Sequence, residues 1–519
     1  MDYKVLITTS GIGSRLGELT DYTNKALIRI GDKPAISHII EMYPSDTEFV
    51  ITLGHFGDYV KQFLQIAYPN TSFTYINVDP YVGPGSSLGY SILQAKQSLQ
   101  SPFIFNACDT ILKSTKQLLP FLETVQNFCV GDLRDDTSQY STLLVDNNKV
   151  RKIKERGELN YDYAYIGLCG IKDYDSFWIQ LEEAYRSNSG DFHLFEGDII
   201  NKMIENLIEF NLCETDQWLD IGNVGELEKT RQFFKTSAEV LEKKEESIYF
   251  YDDSVIKFFA DDVVNSNRVT RANHLGTLVP PIISSSNNFY KYRKINGKLL
   301  SKSVTRKKFH DLLQWANTNL WLPKESESFN DLCKKFYVDK TESRIRKYIS
   351  KNGDSQRVIN HEEVPPIKQL FEQVDVNWLC DGKPVQFHGD FILDNILETE
   401  EGFCLLDWRQ DFAGNLKVGD IYYDLAKLNH NLTVNHEIVN QKMFDSSHDN
   451  CYILCNSTLN DCRSILQKFI INNGYDWKKV QVLTAIIWIN MAPLHDYPFN
   501  KFLFNFGKLN LKRCLNEEY

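Results

Sequence analysis

The sequence has no CxxC pair among its 11 cysteines. That argues against a thioredoxin-like redox motif and against paired zinc-binding knuckles. Cys451, Cys455 and the nearby His448 are poorly spaced for zinc, and no fourth ligand is evident. An odd number of scattered thiols fits a reducing compartment, so a cytoplasmic protein is expected. No run of 18 apolar residues occurs, so no membrane-inserted helix is expected. The opening residues Met1–Ile7 are too quickly interrupted for a signal peptide and read as a first strand. Excess positive charge is missing too: 57 Lys and Arg stand against 69 Asp and Glu, a formal net charge of -12. Nucleic-acid partners, which recruit basic faces, are therefore not expected. A nucleotide needs only a local basic pocket. There is no internal repeat and no low-complexity tract.

What is present is ordinary globular composition, 42% hydrophobic and 24% charged, over 519 residues. That is too long for one core, so at least two domains are expected. Short apolar runs at 3–9, 50–54 and 103–107 alternate with helical stretches near 35–42 and 88–97. This alternation predicts a Rossmann-like α/β domain with a mainly parallel, doubly wound sheet. Residues 236–246 are charge-dense and poor in apolar side chains, and read as a linker between domains 1–235 and 247–519. After it, Ser247–Tyr251 and Val255–Phe259 flank Asp252-Asp253-Ser254 as a hairpin, and beyond about 305 the pattern is mostly helical. A small β lobe followed by a helical lobe is the order of a bilobal α+β, protein-kinase-like domain.

Two segments carry phosphate chemistry. In Ser10-Gly11-Ile12-Gly13-Ser14-Arg15-Leu16, the loop follows a strand, and Gly11 and Gly13 allow its amides to approach an anion closely. Arg15 offers a planar fork to the β and γ phosphates, and Lys25 adds a compact charge. This stretch, with Asn24-Lys25 and Lys33-Pro34, resembles the sugar-nucleotide transferase superfamily, whose signature is G-x-G-[ST]-R-[LM], then Pro-Lys, then Lys-Pro. Asn24 stands where that family usually has proline, and Ser10 where glycine is common. The resemblance covers about residues 1–235. It implies Mg²⁺ held by Asp109, after the strand 103–107, and by Asp220 in Trp218-Leu219-Asp220-Ile221-Gly222. It also implies a nucleotide loop including Gly11, Gly13, Ser14, Gly85 and Ser86, and an acceptor site at Glu155, Arg156 and Gly167. The short length is closer to phosphocholine cytidylyltransferases than to hexose-1-phosphate enzymes, which favours a small acceptor.

The second segment is His388-Gly389-Asp390 with Asn395, followed by a strand ending in Leu406-Asp407-Trp408. Phosphoryl transfer needs a base at the attacking hydroxyl and side-chain oxygens on Mg²⁺. Asp390 fits the first role, Asn395 and Asp407 the second. This pattern resembles the aminoglycoside phosphotransferase and choline kinase superfamily over about 247–519. The resemblance implies Lys257 on the ATP phosphates, Tyr290 and Tyr292 in a hinge beside adenine, and Asp420 and Asp424 as braces of the catalytic loop. Residues 262–276 hold no Glu to pair with Lys257, only Arg268, Arg271 and His274. Trp408, Trp488, Tyr422 and Tyr497 could cage a quaternary amine, with core packing as the commoner role of such residues.

The combined expectation is a bifunctional enzyme using Mg²⁺ at both sites. One domain phosphorylates a choline- or ethanolamine-like alcohol with ATP. The other transfers a nucleotidyl group from an NTP, with CTP favoured, to make an activated donor for surface-glycan or lipid decoration. An anomeric sugar kinase joined to a sugar-1-phosphate nucleotidyltransferase is the alternative, as is a nucleotide-binding protein with one inactive domain. The expected partners are small molecules, with homo-oligomerisation left open.

Overall fold

The computed structural model describes residues 3–134, 136–187, 194–234, 236 and 243–516. Most of the expected linker, 237–242, lies outside the described residues. By packing, the chain divides into one unit of residues 1–262 with 283–292 and a second of 263–282 with 293–519.

In the first unit, the strand Lys4–Thr8 lies between Glu48–Leu53 and Phe103–Ala107, parallel to both, and Phe73–Asn77 adds a parallel edge. The three inner runs are apolar on both faces, which is the rule for covered parallel sheet, while the edge strand Phe73–Asn77 is only partly buried. The remainder of the nine-stranded sheet departs from the expected mainly parallel pattern. Tyr163–Ile171 runs antiparallel to Phe103–Ala107 and Phe128–Asp132, and the hairpin Thr142–Asp146 with Lys149–Lys154 closes the far edge. Between residues 128 and 171 strand follows strand and hairpins replace crossovers, whereas Phe210–Thr215 returns after two helices to pair parallel with Phe128–Asp132.

A four-stranded sheet follows, with Glu246–Phe250, Ser254–Phe259, Phe289–Arg293 and Ile282–Ser285 in that order. The sequence assigned it to the C-terminal domain, but its apolar face packs with the first unit. Phe63, on the helix Gly57–Ala67, meets Tyr249 at 5.4 Å and Phe289 at 6.0 Å between ring centroids. Tyr249 donates to the Leu27 carbonyl at 2.7 Å, and Gln62 donates to Asn288 at 3.2 Å. Tyr249, Ile256, Phe258 and Phe289 share one buried cluster with the first strand. Burial of that face, rather than the charge-dense stretch, sets the division between the units.

The second unit is mainly helical. Its long helices include Arg306–Asn319, Lys340–Asn352, Ile421–Asn431, Ser457–Asn472, Trp477–Met491 and Phe499–Leu515. A small antiparallel sheet, Lys298–Leu299, Ile396–Thr399 and Gly402–Leu405, carries the segment that ends at Asp407. No described helix is long and apolar enough to cross a membrane.

Candidate active sites

The first site is built where the strand Lys4–Thr8 ends. Gly13 takes φ of 68° and starts the turn Ser14–Thr20, which directs Arg15 back over the strand ends. Only glycine adopts this conformation freely, and a Cβ there would also press on Lys25 Cβ at 3.2 Å. Asn24, the residue found in place of proline, has a defined task. Its side-chain amide donates to the Thr9 and His55 carbonyls at 2.8 and 2.6 Å, and its oxygen accepts the Ala26 N–H at 2.8 Å. This holds the short turn Lys25–Leu27 against the loop, and Lys25 Nζ then reaches Asp109 Oδ2 at 3.0 Å.

Asp109 and Asp220 are joined by a two-stranded ladder. Thr110–Leu112 pairs with Trp218–Asp220, and the Ile221 N–H donates to the Asp109 carbonyl at 3.2 Å. Arg15 lies 3.9 Å from Asp109. Gly222 keeps their meeting point open: a Cβ there would sit 3.0 Å from Asp220 Oδ1, 3.2 Å from Arg15 and 3.4 Å from Asp109 Oδ2. Burial works to raise the Asp109 pKa, but the Lys25 ammonium, with Arg15 behind it, more than reverses this and keeps it ionised. Asp220 is pushed up by burial and by the charge of Asp109, against hydrogen bonds from the Gly222 N–H at 2.7 Å and the Tyr140 hydroxyl at 2.8 Å. Two hard carboxylates around a space that a Cβ would fill suit Mg²⁺, which prefers oxygen ligands.

Gly85, at φ of 84°, and Ser86, donating to the Gly83 carbonyl at 2.7 Å, form the turn before the helix Leu88–Gln94. Gly167, at φ of 71°, backs onto Ala107 beside this site. Glu155 and Arg156 sit in the exposed turn after Lys149–Lys154, and no hydrogen bond or ion pair described links them to Asp109. The sequence reading missed Glu196, which opens the helix Glu196–Glu205 and is only 3% exposed, with Oε2 unpartnered. Phe195-Glu196-Gly197-Asp198 reads as a helix start, and nothing in it announces burial. Burial is the first cause that pushes its carboxyl up to about 7, with the charges of Asp198 and Asp109 adding to it.

A carboxyl that binds its proton more tightly when folded lowers stability as pH rises from its ordinary value of 4.5 to about 7. A shift of that size corresponds to about 3 kcal/mol. Glu196→Gln is therefore expected to flatten this part of the stability curve and to exceed the wild type at pH 8. Chemical denaturation at pH 5 and pH 8 checks it, and a deficit of the variant at pH 8 equal to its deficit at pH 5 counts against it.

The second site is a loop braced from beneath. Asp424 is fully buried and accepts the His388 and Gly389 N–H groups at 2.8 and 2.7 Å and the Trp321 indole N–H at 3.1 Å. Asp420 accepts the Lys383 N–H at 2.9 Å and the Tyr337 hydroxyl at 2.8 Å. Burial pushes both carboxyls up to about 6, offset in part by these donors. His388 Nε2 faces the Leu406 carbonyl at 2.9 Å, and its Nδ1 accepts the Asp390 N–H at 3.2 Å. Burial lowers its pKa to about 4, so it stays neutral near pH 7.

Asp390 is thereby presented with Lys427 Nζ 2.6 Å from Oδ1. Burial works to raise its pKa, and Lys427 outweighs burial to hold it below the ordinary value. Asn395 donates to the Asp390 carbonyl at 3.0 Å, leaving its side-chain oxygen as a further donor atom. Asp407 takes a left-handed φ of 53° and is paired with Arg268. An amide oxygen and a carboxylate again form a hard donor set fit for Mg²⁺, and Arg268 neutralises Asp407 in this structure. Arg271 is buried, stacks on Phe387 at 4.0 Å and donates to the Phe387, His388, Arg409 and Leu416 carbonyls. The sequence singled out both arginines only as poor partners for Lys257.

Lys257 is buried in the strand Ser254–Phe259 of the first unit. Tyr290 and Tyr292 do not form an open hinge. They lie buried within the strand Phe289–Arg293, Tyr290 stacked on Phe259 and beside Tyr292. The four aromatics considered for a cage are spread as well. Trp408 donates to the Arg268 carbonyl, Trp488 packs on Phe506 and His430, Tyr422 lies beside Tyr475, and Tyr497 is 75% exposed.

Comparison with known proteins places a family on the second unit. Residues 338–437, including the Asp390 loop and both bracing aspartates, match the model of the phosphotransferase enzyme family (APH). The N-terminal region is 25% identical over 241 residues to the bifunctional protein GlmU of Methanococcus vannielii, covering 44% of this chain and 54% of that protein. It is 26% identical over 177 residues to a probable glucose-1-phosphate cytidylyltransferase of Bacillus subtilis, covering 30% and 68%. It is 20% identical over 220 residues to the choline-phosphate cytidylyltransferase of Streptococcus pneumoniae, covering 42% and 88%. The chain spans about half the length of the GlmU relative it matches. It therefore combines a nucleotidyltransferase-like region with an APH phosphotransferase domain.

Proposed function

We propose that the chain performs two consecutive steps on one small molecule. The second unit transfers the γ-phosphoryl group of ATP to an alcohol. The first couples the resulting phosphomonoester to the α-phosphate of a second NTP and releases pyrophosphate. The order follows from chemistry, because nucleotidyl transfer consumes the phosphomonoester that phosphoryl transfer makes. The observation that carries the reading is the convergence, in one chain, of Lys25, Arg15, Asp109 and Asp220 at one open point and of Lys427, Asn395 and Asp390 at another.

In the kinase step Asp390 accepts the acceptor's hydroxyl proton, and Lys427, its ion-pair partner, keeps it ionised to do so. Lys257 is the residue that the family resemblance assigns to the α and β phosphates of ATP. In the transferase step, Arg15 and Lys25 align the triphosphate, the loop amides from Gly11 to Ser14 cradle it, and the Gly85-Ser86 turn contacts the base. Asp109 with Asp220, and Asn395 with Asp407, would hold Mg²⁺, which supplies charge neutralisation when bound. Phosphoryl and nucleotidyl transfer depend mainly on such positioning and electrostatics. CTP is the proposed nucleotide because two relatives are cytidylyltransferases by name. An activated donor for surface-glycan or lipid decoration, made in the cytoplasm, is the proposed product.

Pyrophosphate release by the purified chain tests this. ATP is kept present while CTP, UTP, GTP and dTTP are tried in turn against free alcohols and their phosphates. Release with CTP that depends on ATP is expected with the kinase acceptor. Release only with UTP and a sugar would replace the reading by the sugar-kinase alternative. Release that persists unchanged when ATP is omitted would remove the kinase step.

A further inference from the structure

We propose that the alcohol phosphorylated at Asp390 itself bears an anionic group, a phosphate or a carboxylate, which is held by the cations gathered beside the catalytic loop. This rests on the kinase reading above and replaces the amino-alcohol acceptor expected from the sequence.

Lys427 supplies the first cation, 2.6 Å from Asp390 Oδ1. Arg409 supplies the second. Its backbone N–H donates to the His388 carbonyl at 3.0 Å, and its side chain lies against Gly389, where an added Cβ would stand 3.2 Å from Arg409 Cδ. The Arg409 guanidinium is 5.0 Å from the centroid of the Phe336 ring, and Lys340 Nζ is 4.2 Å from the same centroid. Arg344 follows Lys340 by one turn on the helix Lys340–Asn352, so the two share a face. Among the described residues, none of Lys340, Arg344 and Arg409 forms an ion pair with a carboxylate. Asp411 is the carboxylate nearest in influence to this group apart from Asp390, and it engages Arg409 through its carbonyl at 3.1 Å.

Half-buried like charges without counter-ions repel one another, and burial removes the water that would screen them. Lys340 registers this: burial first, then Arg409, Arg344 and Lys427, push its ammonium well below the ordinary lysine value. An anion placed among them relieves the repulsion, whereas choline or ethanolamine would add a further positive charge. A neutral polyol would leave the cluster uncompensated. The reaction itself is unchanged. The acceptor hydroxyl oxygen bonds to the γ-phosphorus, the bond from the β–γ bridging oxygen to the γ-phosphorus breaks, ADP leaves with that electron pair, and the hydroxyl proton passes to Asp390.

The full-length chain is assayed for ADP formation with Mg²⁺–ATP. The acceptors are choline, ethanolamine, glycerol, glucose, glycerate, glycerol 3-phosphate and glucose 6-phosphate. Turnover is expected only with the last three, and glycerate against the phosphate esters separates the carboxylate from the phosphate source. The double variant K340Q/R344Q is expected to raise the acceptor KM tenfold or more, with the ATP KM within twofold of wild type. Turnover of choline, ethanolamine or a neutral polyol without any anionic acceptor overturns the proposal, as does a rise in ATP KM instead of acceptor KM. If no acceptor in the panel reacts, calorimetric titration with inorganic phosphate is read with a non-hydrolysable ATP analogue bound. Wild type is then expected to bind one phosphate more than K340Q/R344Q, and equal binding overturns the proposal. Failure of the underlying kinase reading looks different: Asp390→Asn would then match wild type with every acceptor.

Discussion

Asp390→Asn is expected to lower ADP formation with the chain's acceptor by about 10²–10⁴-fold, the usual contribution of a positioned general base. Pyrophosphate release from the already phosphorylated acceptor should stay within twofold of wild type. The substitution preserves shape and keeps one side-chain oxygen, enough for Lys427 or Asn395 but not both, while Asn395 still donates to the residue-390 carbonyl, so the loop should hold its place. What it removes is the charge that accepts the hydroxyl proton. Lys427 and Asp390 stabilise each other's ionised forms, so the substitution also leaves a half-buried ammonium without its counter-charge. The bracing donors to Asp424 are untouched, and the melting temperature should therefore change much less than the rate. An ADP-linked assay and a pyrophosphate assay on the same preparation check this. Equal loss in both would mean that the variant had disturbed the whole molecule.

The legible parts of the two sites were those in which a few consecutive residues carry the chemistry. The loop from Gly11 to Arg15 and the segment from His388 to Asn395 could be read because backbone geometry and function demand particular residues at fixed offsets. Three of the four parallel strands were legible for a related reason, since burial on both faces leaves continuous apolar runs; the edge strand Phe73–Asn77, only partly buried, has no such run and was not read. Arg271 was hidden because its acceptor carbonyls lie 116 to 145 residues away in sequence. Glu196 was hidden because the groups around it, Tyr165, Cys129 and Cys169, lie on strands earlier in the chain. That the four-stranded sheet packs with the first unit was hidden for the same reason. Its hairpin is a local feature, but the helix Gly57–Ala67 that buries its face lies far earlier in the chain. The cations around Asp390 show the limit most clearly. Lys340, Arg344, Arg409 and Lys427 are unremarkable singly; Phe336 and Gly389 place Lys340 and Arg409, the helix turn adds Arg344, and the pair with Asp390 adds Lys427.

Asp109→Asn is expected to lower pyrophosphate release on the order of 10²–10³-fold, the range found when one preorganised electrostatic contact is lost from a transition state. ADP formation should remain near wild type. Asp109 is the shared partner of Lys25, Arg15 and the space bordered by Asp220, and its charge favours the charged form of Lys25 while opposing ionisation of Asp220. Removing that charge should also let the Asp220 pKa fall, because Asp109 is the second cause that holds it up after burial. The variant thus keeps one carboxylate, which becomes easier to ionise, and loses the other. Residual activity should then persist to lower pH than in wild type while its ceiling stays low. A pH profile of pyrophosphate release for both proteins checks the pair of effects together. If Asp109 served only as a structural anchor for Lys25, the substitution would instead reduce thermal stability and activity in step, with no displacement of the acidic limb.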